Sequence, residues 1–157
     1  MGKVLLLDGD STQALPLSRS LKKKGYDVDI VEYTKWGYGS ASKFVSEKFL
    51  FLEHENIEEY RRFLLPILER GYDTIIPCDD YGAMVLSKYQ DDFLKYTRYK
   101  MPSFDVFEVG YDKHRLMDLC QKKGYPHPQT VLLNGASLEN LDLDSLPYPL
   151  LIKPNFS

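Results

Sequence analysis

The chain has 157 residues, enough for one domain with a proper core, and its 43% hydrophobic and 13% aromatic content is that of a globular protein and argues against disorder. A net charge of −3 offers no basic footprint for nucleic acid, and the triplet Lys22-Lys23-Lys24 reads as a solvated helix end. The two cysteines, Cys78 and Cys120, lack metal-ligand spacing, no apolar run is long enough for a membrane span, and no signal-peptide pattern opens the chain, so a cytoplasmic protein in a reducing compartment is expected.

Lys3 to Asp8 is a short apolar run of the kind buried on both faces of a parallel sheet. Gly9-Asp10-Ser11-Thr12 reads as a turn with helix-capping residues. The following helix places Ala14, Leu17 and Leu21 on one face and ends at Lys24-Gly25. Asp27 to Tyr33 reads as a second strand, and this β-α-β opening predicts a right-handed crossover in a parallel sheet. Thr34 to Ser42 is a Gly/Ser/Tyr loop that fits neither common glycine-rich phosphate motif. Lys43 to Leu52 suggests a short helix and then a strand around Phe49-Leu50-Phe51. Asn56-Ile57-Glu58-Glu59 resembles a capping box ahead of a helix with Ile57, Tyr60, Leu64, Ile67 and Leu68 on one face and a kink at Pro66. Thr74 to Pro77 is the next strand, and Asp79-Asp80 leads into a helix bearing Met84, Val85 and Leu86. Gln90 to Tyr96 continues helical, and Met101 to Val109 reads as an edge strand.

The remainder predicts a helix over 112–123, a strand over 129–133, a turn at Asn134-Gly135, a short helix around 138–145 and a buried strand over 150–153. A cation-Gly-Tyr step recurs at Lys24-Gly25-Tyr26, Arg70-Gly71-Tyr72 and Lys123-Gly124-Tyr125. We read these as three helix-to-strand corners, each with a glycine free to adopt the left-handed cap.

Two lysines stand where lysines are costly. Lys113 follows the N-cap residue Asp112, where the positive end of the helix dipole disfavours a cation by up to about 1 kcal/mol. Lys153 closes the apolar run Pro149-Leu150-Leu151-Ile152, where a buried ammonium needs an anion. One polyphosphate held by both would relieve both costs.

Asp112-Lys113 opening a helix, Lys122-Lys123-Gly124 closing it, and Tyr148-Pro149-Leu150-Leu151-Ile152-Lys153-Pro154 beyond it resemble the front of an ATP-grasp domain. The resemblance implies an α/β fold in two parts. Residues 1–108 would form a Rossmann-like parallel-sheet domain that precedes the ATP-grasp module. Residues 109–157 would begin the nucleotide-binding subdomain, truncated before its glycine-rich loop. It also implies that Lys113 and Lys153 contact the phosphates of ATP, and that Mg2+ is held by residues of the family's C-terminal half. The implied activity is that of a carboxylate–amine ligase, carbamoyl phosphate synthase-like, which activates a small carboxylate as an acyl phosphate for attack by an amine. The chain alone is expected to be inactive, with a homodimer or a partner chain supplying the remainder. A non-catalytic α/β small-molecule binding or subunit-docking module is the alternative.

Asp8-Gly9 and Asp79-Asp80 lie at the C-terminal ends of predicted strands, where open α/β sheets place ligands. Related enzymes line the non-nucleotide substrate with these loops, so all four residues are substrate-binding candidates. The competing reading is a turn with a helix cap at each place.

Overall fold

The computed structural model of the chain describes residues 2–39, 41–52, 56–131, 142 and 148–156. Its backbone divides into two compact units, Met1–Phe107 and Glu108–Ser157.

The first unit is built on a four-stranded parallel sheet in the order β3-β2-β1-β4, with β1 Lys3–Leu7, β2 Asp27–Glu32, β3 Glu47–Leu50 and β4 Thr74–Pro77. In the central strand, Val4 stands opposite Val28 on one side and Thr74 on the other. Side chains alternate across a strand, so β1 feeds two cores at once. Leu5 and Leu7 pack with Tyr60, Leu64, Val85 and Leu86, which come from helices α2 (Ile57–Leu68) and α3 (Asp80–Lys88). Val4 and Leu6 face Val28, Ile30 and Ala14, the last from α1 (Ala14–Lys23). The apolar run of β1 therefore needs no polar alternation, because neither face meets water.

Local chemistry sets the helix ends. The Asn56 side chain accepts from the backbone N–H groups of Glu58 and Glu59, which starts α2. Asp79 caps α3 by accepting from Asp80 N. Gly25, Gly71 and Gly124 all have positive φ, so each of the three cation-Gly-Tyr steps does close a helix through a left-handed residue. The first two lead into β2 and β4; the third leads into no strand among the described residues.

At the N-terminal edge of the sheet, charges are paired. Lys3 Nζ lies 2.9 Å from Asp29 Oδ2, Lys22 bonds Asp27, and Arg70 grips Glu47 with both terminal guanidinium nitrogens. Asp29 is only 1% exposed and also accepts a 2.6 Å hydrogen bond from the Tyr72 hydroxyl. Lys3→Met is expected to lower stability by about 2 kcal/mol, because it leaves a buried carboxylate without its cation while Lys3 itself is only partly enclosed. Urea unfolding of the variant checks this. An unchanged midpoint would mean that Tyr72 alone satisfies Asp29.

Two expectations for this unit need correction. Lys43 to Ser46 forms turns, not a helix. Met101 to Val109 contains no edge strand: α4 (Gln90–Phe93) is followed by α5, Phe104–Tyr111. Phe104, Phe107 and Tyr111 recur at helical spacing and are, with Val109, the half-buried positions of α5, while Asp105 suits its first turn. Apolar content had suggested a strand, but the period was that of a helix.

The second unit holds α6, Lys113–Lys123. The Asp112 carboxylate accepts from Arg115 N at 2.9 Å, as an N-cap should. The strand expected over 129–133 is not seen at Gln129–Val131, which are exposed and irregular, and Leu132, Leu133, the Asn134-Gly135 turn and nearly all of the expected helix around 138–145 lie outside the described residues. The buried strand expected over 150–153 is also absent: Leu151 and Ile152 are largely exposed, and so is Lys153. A strand needs a ladder partner for its N–H and C=O groups, and among the described residues this segment has none. No helix among the described residues is long and apolar enough to cross a membrane.

Candidate functional site

The chain runs from β1 outward to β2 and β3, then returns to place β4 on the other side of β1. The gap between the ends of β1 and β4 is therefore the topological switch point, where ligands enter open α/β sheets. Asp8 and Gly9 follow β1, and Asp79 and Asp80 follow β4, so the fold gathers all four substrate candidates at one edge.

They play different parts there. Asp8 is buried at 2% exposure and has the positive φ of 58° that Asp tolerates better than most residues. Its Oδ2 accepts from Cys78 N (3.2 Å) and Asp79 N (3.0 Å), and its Oδ1 accepts from Gly82 N (3.0 Å) and the Tyr33 hydroxyl (2.6 Å). Three of these donors are backbone N–H groups around the start of α3, so the side chain clamps the positive end of that helix. Burial pushes the Asp8 carboxyl up to about 6, against the lowering effect of Tyr33 and the backbone donors. Gly9 is locked in the backbone, donating to Val31 O and accepting from Gly39 N, both at 2.8 Å. Asp79 and Asp80 are exposed.

Sequence reasoning missed the groups around Asp8. The rings of Tyr33, Tyr60 and Tyr81 meet with centroids 5.4 to 5.6 Å apart. Burial, reinforced by Asp8, raises all three phenols above their ordinary range. The buried Tyr60 hydroxyl lies beside that of Tyr33 without a hydrogen bond of ordinary geometry, and the Tyr81 hydroxyl likewise has no partner among the described residues. The only advance signal was the abundance of tyrosine, twelve in the chain. Gly82 was also missed: a Cβ there would strike the Asp8 carboxylate. Cys78, at the same place, is pushed up to about 12 by burial and by Asp8, which makes its thiol a poor nucleophile.

This edge is acidic. Asp8, Asp10, Asp79 and Asp80 converge on it, and none makes an ion pair among the described residues, in contrast to the paired charges at the opposite edge. Asp10 binds the loop that follows β2, accepting from Tyr33 N and the Thr34 hydroxyl. That loop carries Trp36, 92% exposed. The arrangement suits a hydrogen-bond donor or a cation and opposes a phosphate. Among the described residues no group of three acidic, His or Cys side chains is arranged to hold a metal ion.

In the second unit, Lys113 is the first residue of α6, so its backbone N–H is among the unpaired donors of a helix start. Asn155 meets it there. Lys113 N and Nζ both donate to Asn155 O, at 3.3 and 3.2 Å, and His114 N donates to Asn155 Oδ1 at 2.9 Å. Lys153 lies two residues before Asn155, so the fold brings the stretches carrying the two lysines together at the α6 N-terminus. The donor set, two backbone N–H groups and an ammonium, is of the kind that holds phosphate oxygens.

No protein-family model matches the chain, and no curated protein matches it. Solved structures do. L-amino acid ligase from Bacillus licheniformis matches over 100% of this chain and 38% of its own, with 16% identity and a TM-score of 0.70. N5-carboxyaminoimidazole ribonucleotide synthetase from Thermotoga maritima matches over 82% of this chain and 33% of its own, with 21% identity and a TM-score of 0.53. The phosphoribosylaminoimidazole carboxylase ATPase subunit from Aquifex aeolicus matches over 81% and 33%, with 15% identity and a TM-score of 0.51. The chain thus shares its α/β fold with part of each of these three structures, and spans a third or a little more of their length.

Proposed function

We propose that the chain serves as the N-terminal part of an ATP-dependent ligase. The observation that carries this reading is the likeness of fold over the whole chain to an L-amino acid ligase. On this reading residues 1–108 form the domain that precedes the ATP-grasp module, and residues 109–157 begin the nucleotide-binding subdomain. ATP supplies the phosphoryl group that turns a carboxylate, or a carboxylate-like group as in carbamoyl phosphate synthesis, into an acyl phosphate. An amine then displaces phosphate and forms the C–N bond.

The chain's own contribution is electrostatic. Lys113 and Lys153 neutralise and orient the polyphosphate as fixed cations, without passing protons. Asp79 and Asp80 face the non-nucleotide substrate at the switch point, where Asp8 and Gly9 hold the two loops in place. The rest of the nucleotide pocket and the magnesium ligands come from outside residues 1–157, so turnover requires them.

ATP bound only to the folded state stabilises it by RT ln(1 + [L]/Kd), about 2.7 kcal/mol at a hundredfold excess over Kd. Calorimetric or dye-monitored melting of the chain with and without ATP is expected to show an upward shift that Lys113→Ala and Lys153→Ala each remove. A shift left intact by either variant would take that lysine out of the site.

A further inference from the structure

Asn155 is tied to the N-terminus of α6 through every polar atom of its side chain and through its carbonyl. Its carbonyl accepts from Lys113 N and Nζ, and its Oδ1 accepts from His114 N. Its side-chain amide also reaches Asp112, the carboxylate already held low by Arg115 N. Next to it, Phe156 stacks on Tyr111, with ring centroids 5.5 Å apart and planes at 30°. Exposed irregular chain with no sheet partner pays heavily in conformational entropy to hold one course, about 1–2 kcal/mol per residue. Five contacts on two consecutive residues fix this one.

The fixed point is close to a cation that is otherwise poorly placed. Lys153 stands two residues before Asn155, so its Cα lies within about 7 Å of the Asn155 Cα whatever the local course of the chain. Lys113 is on the other side of the same contact. Its ammonium carries three donors, so a bond to one carbonyl aims it without exhausting it.

We propose that Asn155 is a positioning residue of the nucleotide site, latching the Lys153 segment to the start of α6 so that Lys113 and Lys153 present their charges to one polyphosphate. This rests on the ligase reading above. The latch restricts a lysine that would otherwise sweep a wide volume, and pre-organisation of this kind improves binding by removing an ordering cost at the moment of association. Asn155 makes no contact with the ligand in this role.

The test uses the chain itself, inorganic triphosphate as the probe, and two readouts. Amide hydrogen exchange at Lys113 and His114 reports the latch without any ligand. Triphosphate affinity by calorimetry reports its consequence. Asn155→Ala is expected to speed exchange at His114 and to weaken triphosphate about tenfold, the scale of one ordering cost. In a Lys153→Ala background the same substitution is expected to have little further effect, because the latch then has no cation to position. Faster exchange with unchanged affinity would overturn the positioning role and leave the ligase reading standing. Tighter binding would also overturn it, since Asn155 would then be a competitor for the phosphate's donors. Full additivity with Lys153→Ala would overturn it too. Triphosphate that binds neither the parent chain nor any variant would overturn the shared-polyphosphate role of Lys113 and Lys153, and the proposal with it.

Discussion

Gly82→Ala is expected to lower the stability of the chain by about 3 kcal/mol, a large effect for the addition of one methyl group. On an exposed helix the change would help, because alanine is the better helix former by about 1 kcal/mol. Gly82 is different because its position faces the Asp8 carboxylate, whose Oδ2, Cγ and Oδ1 all lie too close for a Cβ. The carboxylate cannot retreat cheaply, since it is held by four donors, Gly82 N among them. Either α3 shifts, loosening its packing on β1, or Asp8 moves and buried N–H groups lose their acceptor. The urea midpoint should fall with little change in slope. The same substitution in an Asp8→Ala background should cost less than about 1 kcal/mol, because the obstacle is gone. Equal costs in both backgrounds would show that something other than the clamp constrains Gly82.

Asp8 is also expected to make stability fall as pH rises from about 4 to about 6.5. The sign follows from the direction of its shift. The folded state raises the Asp8 carboxyl from 3.8 to about 6, chiefly by burial. Between those values the folded chain holds a proton that the unfolded chain has released, so raising the pH favours unfolding. The difference corresponds to at most about 3 kcal/mol, complete once the pH passes 6. Asp27 and Asp92 are shifted the other way by their hydrogen bonds to Ser46 and Lys22 and to Arg61, and they add stability above the ordinary carboxylate range. These opposing groups cancel when the parent is compared with Asp8→Asn. Asparagine accepts the positive φ, loses part of the clamp at every pH, and does not titrate. The gap between the two stabilities should therefore narrow as the pH rises through 6. Parallel profiles would mean that Asp8 ionises as an ordinary carboxyl.

The parts of the fold written in short-range chemistry were legible. Asn56, Asp79 and Asp112 announced three helix starts, and three cation-Gly-Tyr steps announced three helix ends, because a cap needs only its own few neighbours. The apolar runs of β1 and β4 announced a buried parallel sheet for the same reason. What escaped was either long-range or ambiguous in period. Asp8 reads locally as a turn residue, and nothing near it reveals Gly82, 74 positions on, as its partner. Tyr60 reads as an ordinary apolar-face residue until the fold brings it and Tyr81 to Tyr33. In the Met101 to Val109 stretch apolar content masked the helical spacing of Phe104, Phe107 and Tyr111, and the expected strand is a helix. Leu150 to Ile152 reads as a buried strand because its composition demands cover, yet cover must come from other residues, and no ladder partner for it exists among those described.

The loop after β2 has an optical consequence. Trp36 is the sole tryptophan of the chain, and its indole is almost wholly in water. Its flanks are not loose: Thr34 bonds Asp10, and Gly37 sits so near Asp10 and Glu32 that no Cβ would fit. The acidic edge of the sheet thus carries a native fluorophore on a tethered stalk. Its emission is expected to be red-shifted and open to quenchers, and a molecule settling against Asp10 or Asp79 would report its arrival as a change in colour, with no label attached.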